Sequence, residues 1–307
     1  MEIGWESRGR AARIWAVLLL VPADVLRPQR VDEHFAAEAD AARDAGLEVA
    51  VVDHDALTRT GGADGAVRRV RAGGVAVYRG WMLRSDQYAA FDRSLRQRGV
   101  TLRTDAEQYR RAHELPGWYP ALAEMTPRSV WTTGKDRAAF DHARRELGTG
   151  AAVLRDYTKS MKHYWHEAAF IPDVADADAA WRVASRFHEL RGDDLTGGFV
   201  LRRFERFRSP EVRTWWVEGK CRLVGPHPDT PDELPDCEFD PAPVEHAIAA
   251  LGLPFVTADF VLREDRVWRL VELGDGQVSD RPRTIPAEEL ITALRAGRRP
   301  PPTGPAG

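Results

Sequence analysis

Short apolar runs alternate with amphipathic stretches along the first third of the chain. A continuous apolar run covers residues 14–21, and Phe35, Ala39 and Ala42 recur at helical spacing within residues 31–45. The pattern then predicts strands at residues 47–52, 75–78 and 100–102, and a helix at residues 85–98. Strands that alternate with helices favour a small, open, doubly wound parallel sheet over about residues 13–110.

The turn after the first predicted strand bears on the ligand of this sheet. Residues 21–24 read Val-Pro-Ala-Asp, which does not match the GxGxxG turn that holds a dinucleotide. A dinucleotide-binding Rossmann domain is therefore disfavoured. Arg79 follows the strand at residues 75–78 and is a possible substrate contact, because open α/β sheets bind ligands at the carboxyl ends of their strands.

The pattern changes from about residue 112, where residues 113–128 predict a proline-rich connecting segment. Later runs indicate mixed or antiparallel strands at residues 152–156, 199–204, 213–217, 221–224, 255–262 and 267–273. Glu218-Gly219-Lys220 predicts a hairpin turn, and helices are expected at residues 136–147, 177–189 and 244–251. We therefore expect a flexible leader (1–12), an α/β domain (13–125), an α+β domain (126–297) and a disordered tail (298–307).

Composition excludes several classes of protein. With 307 residues, 43% of them hydrophobic and 30% charged, the chain has the make-up of a globular protein of about two domains. The net charge of −3 gives no reason to expect a nucleic acid or a membrane as partner. Two cysteines without metal-ligand spacing favour a reduced protein of the cytoplasm over a disulfide framework or a zinc site.

Lysine is scarce, and its distribution points to a candidate site. Only four of the 44 basic residues are lysine, and two of them, Lys159 and Lys162, lie in one short loop after a strand that ends near Arg155. Because an ammonium group and a planar guanidinium are not interchangeable, a retained lysine indicates a specific contact. Three cations at the end of a strand suit a phosphate, and the alternative is a solvated basic turn.

Two adjacent arginines interrupt the apolar run at residues 199–204. Arg202 and Arg203 face opposite ways if this run is a strand, so one of them points toward the interior or a cleft. An inward arginine needs an anionic partner, for which a phosphate is one candidate.

Two acids lie on an apparent terminal hairpin. Asp259 and Glu272 flank a turn at residues 263–266, so pairing about that turn brings their carboxylates together. Neighbouring carboxylates favour a bridging cation, and hard oxygen ligands suit Mg²⁺, which binds one or two carboxylates plus substrate phosphates. Asp275 and Gln277 add oxygens beyond the strand, and Gln277 is a second possible substrate contact. Neither a P-loop nor a protein-kinase motif set is present.

Jointly, these motifs resemble the ATP-grasp superfamily over about residues 130–295. The run Arg-Asp-Tyr-Thr-Lys-Ser at 155–160 and the ending Val-Glu-Leu-Gly-Asp-Gly-Gln-Val-Ser at 271–279 are similar to the clade named for two arginines and one lysine. The resemblance implies a pre-ATP-grasp α/β domain with a small parallel sheet, followed by an ATP-grasp fold with mixed or antiparallel sheets.

The resemblance also implies where ATP would bind. Arg155 stands at the position of a phosphate-binding lysine in the family, and Lys159 and Lys162 would lie in the loop beside the triphosphate. Glu205 would lie at the hinge whose backbone meets adenine.

For the metal, the resemblance implies that Asp259 and Glu272 are the magnesium carboxylates. Gly274 replaces the amide residue that usually completes this set, and Asp275 is expected to supply the missing oxygen.

The implied reaction is an ATP- and Mg²⁺-dependent ligation. Arg213 and Arg203, or Arg202 in place of Arg203, would contact phosphate or an acyl phosphate formed from a small-molecule or peptide carboxylate. An amine or thiol would then displace phosphate, without a side-chain nucleophile. The alternatives are a catalytically silent ATP-binding regulatory module and a phosphotransferase or nucleotidyl transferase on the same fold.

Overall fold

The computed structural model describes residues 17–296. The expected leader at residues 1–12, the expected tail at 298–307 and the start of the first predicted strand lie outside the described residues.

The amino-terminal part forms a parallel sheet with helices on both faces, which confirms the predicted class. Its strands are β1 (Val17–Pro22), β2 (Glu48–Val52), β3 (Gly74–Tyr78) and β4 (Val100–Leu102), in the order β2-β1-β3-β4. Its helices are α1 (Ala36–Asp44), α2 (His54–Thr58), α3 (Ala63–Ala66), α4 (Ser85–Gln97) and α5 (Ala106–His113).

Strand β1 is buried along its whole length, which explains its unbroken apolar run. Leu18 and Leu20 pack with residues of α2 to α5, whereas Val17, Leu19 and Val21 pack with α1. Successive side chains of a strand point to opposite faces, so a strand covered on both faces is apolar throughout.

The prediction of a connecting segment at residues 113–128 was wrong, because a helix, α6 (Leu115–Leu122), occupies much of it. Leu115, Trp118 and Leu122 are buried at helical spacing, and Pro116 lies in the first turn, where a missing N–H is tolerated. The apolar periodicity therefore outweighs the proline content of this segment.

Two antiparallel sheets follow. The first has the order β5-β8-β6-β7 and is covered by α7 and α8: β5 (Ser129–Trp131), α7 (Arg137–Leu147), β6 (Ala152–Arg155), β7 (Phe170–Ile171), α8 (Ala177–Arg191) and β8 (Val200–Arg203). The second has the order β10-β9-β11-β12: β9 (Val212–Val217), β10 (Lys220–Pro226), α9 (Ala242–Ala250), β11 (Phe255–Leu262) and β12 (Trp268–Asp275). The six strands predicted here are present. Helix α10 (Ala287–Ala296), which was not predicted, packs with α1 against the first sheet.

The segment after β12 ties the first sheet to the last. Arg79 donates to both carboxylate oxygens of Glu38, at 2.7 and 2.9 Å, and to the carbonyls of Gly276, Gln277 and Ser279. These contacts bring the carboxyl end of β3 next to the strand that carries Glu272. None of the helices within residues 17–296 combines the length and apolarity needed to cross a membrane.

Candidate active site

A cleft of about 660 Å³ lies where the two antiparallel sheets meet the segment after β3. Most of the residues singled out in the sequence line it: Arg155, Lys159, Lys162, Arg202, Arg203, Glu205, Arg213, Asp259, Glu272 and Asp275. Trp81 and Met82 contribute the wall from the first sheet. The cleft therefore joins residues that are nearly 200 positions apart in the chain.

Three charged residues form one row across the second antiparallel sheet. Asp259 on β11 pairs in register with Arg213 on β9 and with Glu272 on β12. Arg213 grips the Asp259 carboxylate at both oxygens, with Nε 2.8 Å from Oδ1 and Nη2 2.7 Å from Oδ2. The Glu272 side chain is 42% exposed and faces the cleft. Burial raises the pKa of Glu272, but the charges of Arg155, Lys159 and Arg213 hold it below its usual value, so Glu272 stays ionised.

Glu211 and His227 join this row, although neither was chosen from the sequence as a site residue. His227 Nε2 lies 3.6 Å from Asp259 and 3.9 Å from Glu211. Burial and the negative charges of Asp259 and Glu272 raise the pKa of Glu211 to about 7. Its two-residue spacing from Arg213 on one strand face was a usable signal, whereas nothing local marked His227.

Two buried arginines form the floor of the cleft and have few anionic partners. Arg155 and Arg202 are 6% and 7% exposed, and Glu272, 3.8 Å from Arg155, is the one described acid within ion-pair distance of either guanidinium. Arg202 donates to Val271 O and to Ser129 Oγ, but its Nη2 is buried without a hydrogen-bond partner within residues 17–296. Burial and the charge of Arg155 lower the pKa of Arg202 to about 9. This floor is short of negative charge.

The loop after β6 is held by one aspartate. The Asp156 carboxylate accepts hydrogen bonds from the backbone N–H groups of Thr158 and Lys159, both at 2.7 Å. This turn directs the loop along the cleft and leaves Lys159 half-buried at its wall. Lys162, farther along, is bound to Asp229 across the cleft.

Glu205 and Arg203 sit at the edge of the cleft with protein partners. The Glu205 carboxylate binds Arg269 at 2.9 and 3.1 Å and Arg263 at 3.2 Å. Arg203 donates to the carbonyls of Leu147 and Thr149. Of the two adjacent arginines, Arg202 is therefore the one with an unsatisfied group at the cleft.

An aromatic wall stands beside Glu205, and the sequence reasoning missed it. Trp165 stacks on Phe170 with ring centres 5.4 Å apart, and Phe170 meets Phe204 edge-on at 5.3 Å. Trp165 and Phe204 line the cleft. Their flat apolar faces suit a planar ring.

Asp275 and Gln277 are not directed at the row of acids. Both are fully buried, and Asp275 Oδ1 accepts hydrogen bonds from Gln277 N and Nε2 at 2.9 and 3.2 Å. Burial raises the pKa of Asp275 to about 7. Gly274 is flanked instead by the hydroxyls of Thr257 and Ser279, which lie 2.7 Å apart. The contacts of Asp275 thus contradict the expectation that it supplies the missing oxygen.

Arg79 and Gln277 also differ from the expectation of a substrate contact. Arg79 is 1% exposed, its guanidinium is fully engaged, and neither residue lines the cleft. The carboxyl end of β3 reaches the cleft through Trp81 and Met82 instead. The expectation placed the contact on the correct segment but on the wrong side chain.

Comparison with known proteins gives the family. A family model described as an ATP-grasp domain, family 3 of the clade named for two arginines and one lysine, matches residues 146–294. No curated protein matches the sequence.

Solved structures with the same fold cover almost the whole chain. A RimK-domain ATP-grasp protein from Sphaerobacter thermophilus aligns with a TM-score of 0.58 and 17% identity, over 91% of this chain and 100% of that one. The D-cycloserine synthetase DcsG gives 0.58 and 17%, over 92% and 99%. The ATP-grasp ligase PsnB, complexed with minimal precursor, Mg and ADP, gives 0.54 and 14%, over 92% and 97%. Identities this low show the fold alone, and together with the family model they establish that the chain belongs to the ATP-grasp superfamily.

Proposed function

We propose that this protein is an ATP- and Mg²⁺-dependent ligase that activates a carboxylate as an acyl phosphate for attack by an amine or a thiol. One observation carries the proposal: a single cleft joins a floor of two buried arginines, short of negative charge, to a row of acids with Arg213 at its end. An anion that also brings a divalent cation satisfies both halves of this arrangement. A nucleoside triphosphate with Mg²⁺ is such a ligand.

The charges and the aromatic wall support one orientation of ATP. The triphosphate lies over Arg155 and Arg202, with Lys159 at the loop, because these cations need an anion. The adenine ring packs near Trp165 and Phe204, next to the backbone at Glu205. Family membership and the ADP- and Mg-bound PsnB structure support this placement.

The acids fit a magnesium ion. Asp259 and Glu272 are directly opposite one another on neighbouring strands, and both expose oxygens to the cleft. Carboxylate oxygens keep lone pairs beyond those that Arg213 occupies, and hard oxygen donors are the ligands that Mg²⁺ prefers. Bound Mg²⁺ would neutralise charge on the β- and γ-phosphates.

The reaction follows from this placement. A carboxylate oxygen attacks the γ-phosphorus, the bond from that phosphorus to the β–γ bridging oxygen breaks, and ADP leaves. The amine or thiol attacks the acyl carbonyl carbon, phosphate leaves, and the proton of the nucleophile passes to solvent or phosphate. Arg213 opposes the charge that develops on the transferred phosphoryl group, and the arginine floor holds the ADP end in place. The carboxylate is a small molecule or a peptide, as the DcsG and PsnB folds suggest.

The test is nucleotide turnover in a Glu272→Gln variant, with Glu264→Gln as matched control on the exposed turn of the same hairpin. We expect ADP release that depends on an added carboxylate and amine or thiol, and a loss of at least about 100-fold in Glu272→Gln, since a metal ligand is removed. Release of AMP would indicate a nucleotidyl transferase. ATP binding without turnover on any acceptor panel would indicate a silent module.

A further inference from the structure

His227 contacts Arg213 from the strand on its other side. We propose that His227 is a positioning residue that orients Arg213 toward the γ-phosphate end of the nucleotide, an inference that rests on the proposed function. The His227 Nε2 atom lies 2.9 Å from Arg213 Nη2. The ring is mostly buried, with 14% of its side chain exposed.

The backbone places this ring without freedom to drift. Gly225 on β10 pairs with Arg213 on β9, and Pro226 pairs with Val212. His227 continues the ladder, since its N–H donates to Glu211 O at 3.1 Å. His227 is therefore a diagonal neighbour of Arg213 on the same face of the sheet, within reach of a long side chain.

The direction of the hydrogen bond is fixed by the chemistry of the two groups. A guanidinium has only donors, so His227 must accept at Nε2 through an unprotonated lone pair. The Asp229 N–H also approaches the ring, 3.1 Å from Nδ1, but a neutral imidazole can accept only once. The shorter bond to a charged donor is the stronger one, which puts the proton on Nδ1.

A histidine at this position does what a third carboxylate would not. Asp259 already holds Arg213 at Nε and Nη2, and Asp280 O accepts from Nη1 at 3.2 Å. A further negative charge would cancel the positive charge that Arg213 must offer to a phosphate. The imidazole lone pair fixes the plane of the guanidinium and leaves that charge available.

The rival explanation is a metal site, since ligand atoms of Glu211, His227 and Asp259 all lie within 4.8 Å of one another. Arg213 Nη2 argues against it, because this atom is 2.9 Å from His227 Nε2 and 2.7 Å from Asp259 Oδ2. The guanidinium thus fills the space between two of the three ligands, where a cation would have to bind.

The experiment measures what the γ-phosphate adds to nucleotide affinity, which requires no knowledge of the acceptor. Calorimetry with Mg·ADP and Mg·AMPPNP is applied to wild type, His227→Phe, His227→Gln and the exposed control His246→Phe. We expect His227→Phe to lose about tenfold of the AMPPNP-over-ADP preference, the size of one hydrogen bond to a charged group, with ADP affinity unchanged. His227→Gln, which keeps an acceptor oxygen, and His246→Phe should stay within about threefold of wild type.

Arg213→Met supplies the coupling test. It should lose the same preference, and adding His227→Phe to it should cost nothing more, because the two residues act as one unit. Equal losses in the Phe and Gln variants, or an additive double variant, would overturn the positioning role. So would Mn²⁺ binding to the nucleotide-free protein that His227→Phe abolishes, since that identifies a metal ligand. A wild-type protein that binds neither nucleotide would instead refute the proposed function itself.

Discussion

Arg202 and Arg203 are neighbours on β8 with opposite surroundings. Arg203 is satisfied by the carbonyls at the end of α7, whereas Arg202 lies buried beside Arg155 with one nitrogen unpaired among the described residues. An unpaired buried donor costs about 1–3 kcal/mol, more for a charged group. Such a cost is tolerable where a ligand supplies the missing partner, so Arg202 is the stronger candidate for phosphate binding.

Matched substitutions separate the two arginines. Arg202→Met should weaken Mg·ATP binding by at least about tenfold, because a buried charged contact is lost, and it should not lower the melting temperature of the nucleotide-free protein. Arg203→Met should leave nucleotide affinity nearly unchanged and lower the melting temperature. Calorimetry and thermal unfolding check both. The reverse assignment would return Arg203 to the catalytic role first expected of it.

At the scale of elements, β9 organises the site because it lies between β10 and β11. It carries Arg213 directly after Glu211, and the β9–β10 hairpin places His227 opposite them. The turn residues Glu218 and Gly219 both have positive φ, 51° and 73°, as a two-residue hairpin with the twist of a sheet requires. A Cβ on Gly219 would lie 2.7 Å from Ala249 of α9, so this turn is also a close packing point.

Substitution in this turn tests that packing. Gly219→Ala should lower the free energy of unfolding by more than the roughly 1 kcal/mol that positive φ costs an alanine, because the methyl group meets Ala249. Gly252→Ala is the matched control, since Gly252 has φ of 62° and no described atom within 4 Å of the added Cβ. Urea unfolding of both variants gives the comparison. Equal losses would show that only backbone strain matters at residue 219.

At the scale of the whole molecule, the first sheet and β12 are joined through buried polar groups. Gln277 accepts from Tyr78 N at 3.0 Å and donates to Tyr88 Oη at 2.7 Å, and it also bonds Asp275. Asp275 is 0% exposed, and burial raises its pKa from 3.8 to about 7. The folded protein therefore favours the neutral carboxyl group at a junction that links both halves to the cleft.

This junction makes stability depend on pH. Because the folded pKa of Asp275 is raised, its contribution is complete below about pH 4 and is lost as pH rises through about 7. Urea unfolding at pH 5 and pH 8 should show wild type weaker at pH 8. Asp275→Asn, which cannot ionise, should flatten that difference, with a remainder from Glu211, whose pKa is raised in the same direction. An unchanged slope in the variant would refute this assignment.

Much of the architecture was predictable because it follows from local periodicity. Strand β11 has the bounds that its apolar run indicates, and the turn between β9 and β10 lies at the predicted residues. Helix α6 was missed because prolines outweighed a buried spacing of Leu115, Trp118 and Leu122 in the sequence reasoning. In the folded chain, burial of that face decides the outcome.

By itself, the sequence determined the order of the elements and the pairing of Asp259 with Glu272, since a short hairpin sets that register. Only the tertiary structure decided that His227 meets Arg213, that Arg202 rather than Arg203 is left unpaired among the described residues, and that the carboxyl end of β3 reaches the cleft through Trp81. These outcomes depend on which side chains from separate strands compete for one partner. No local pattern encodes that competition, because it is settled by packing and hydrogen bonding between residues far apart in the chain.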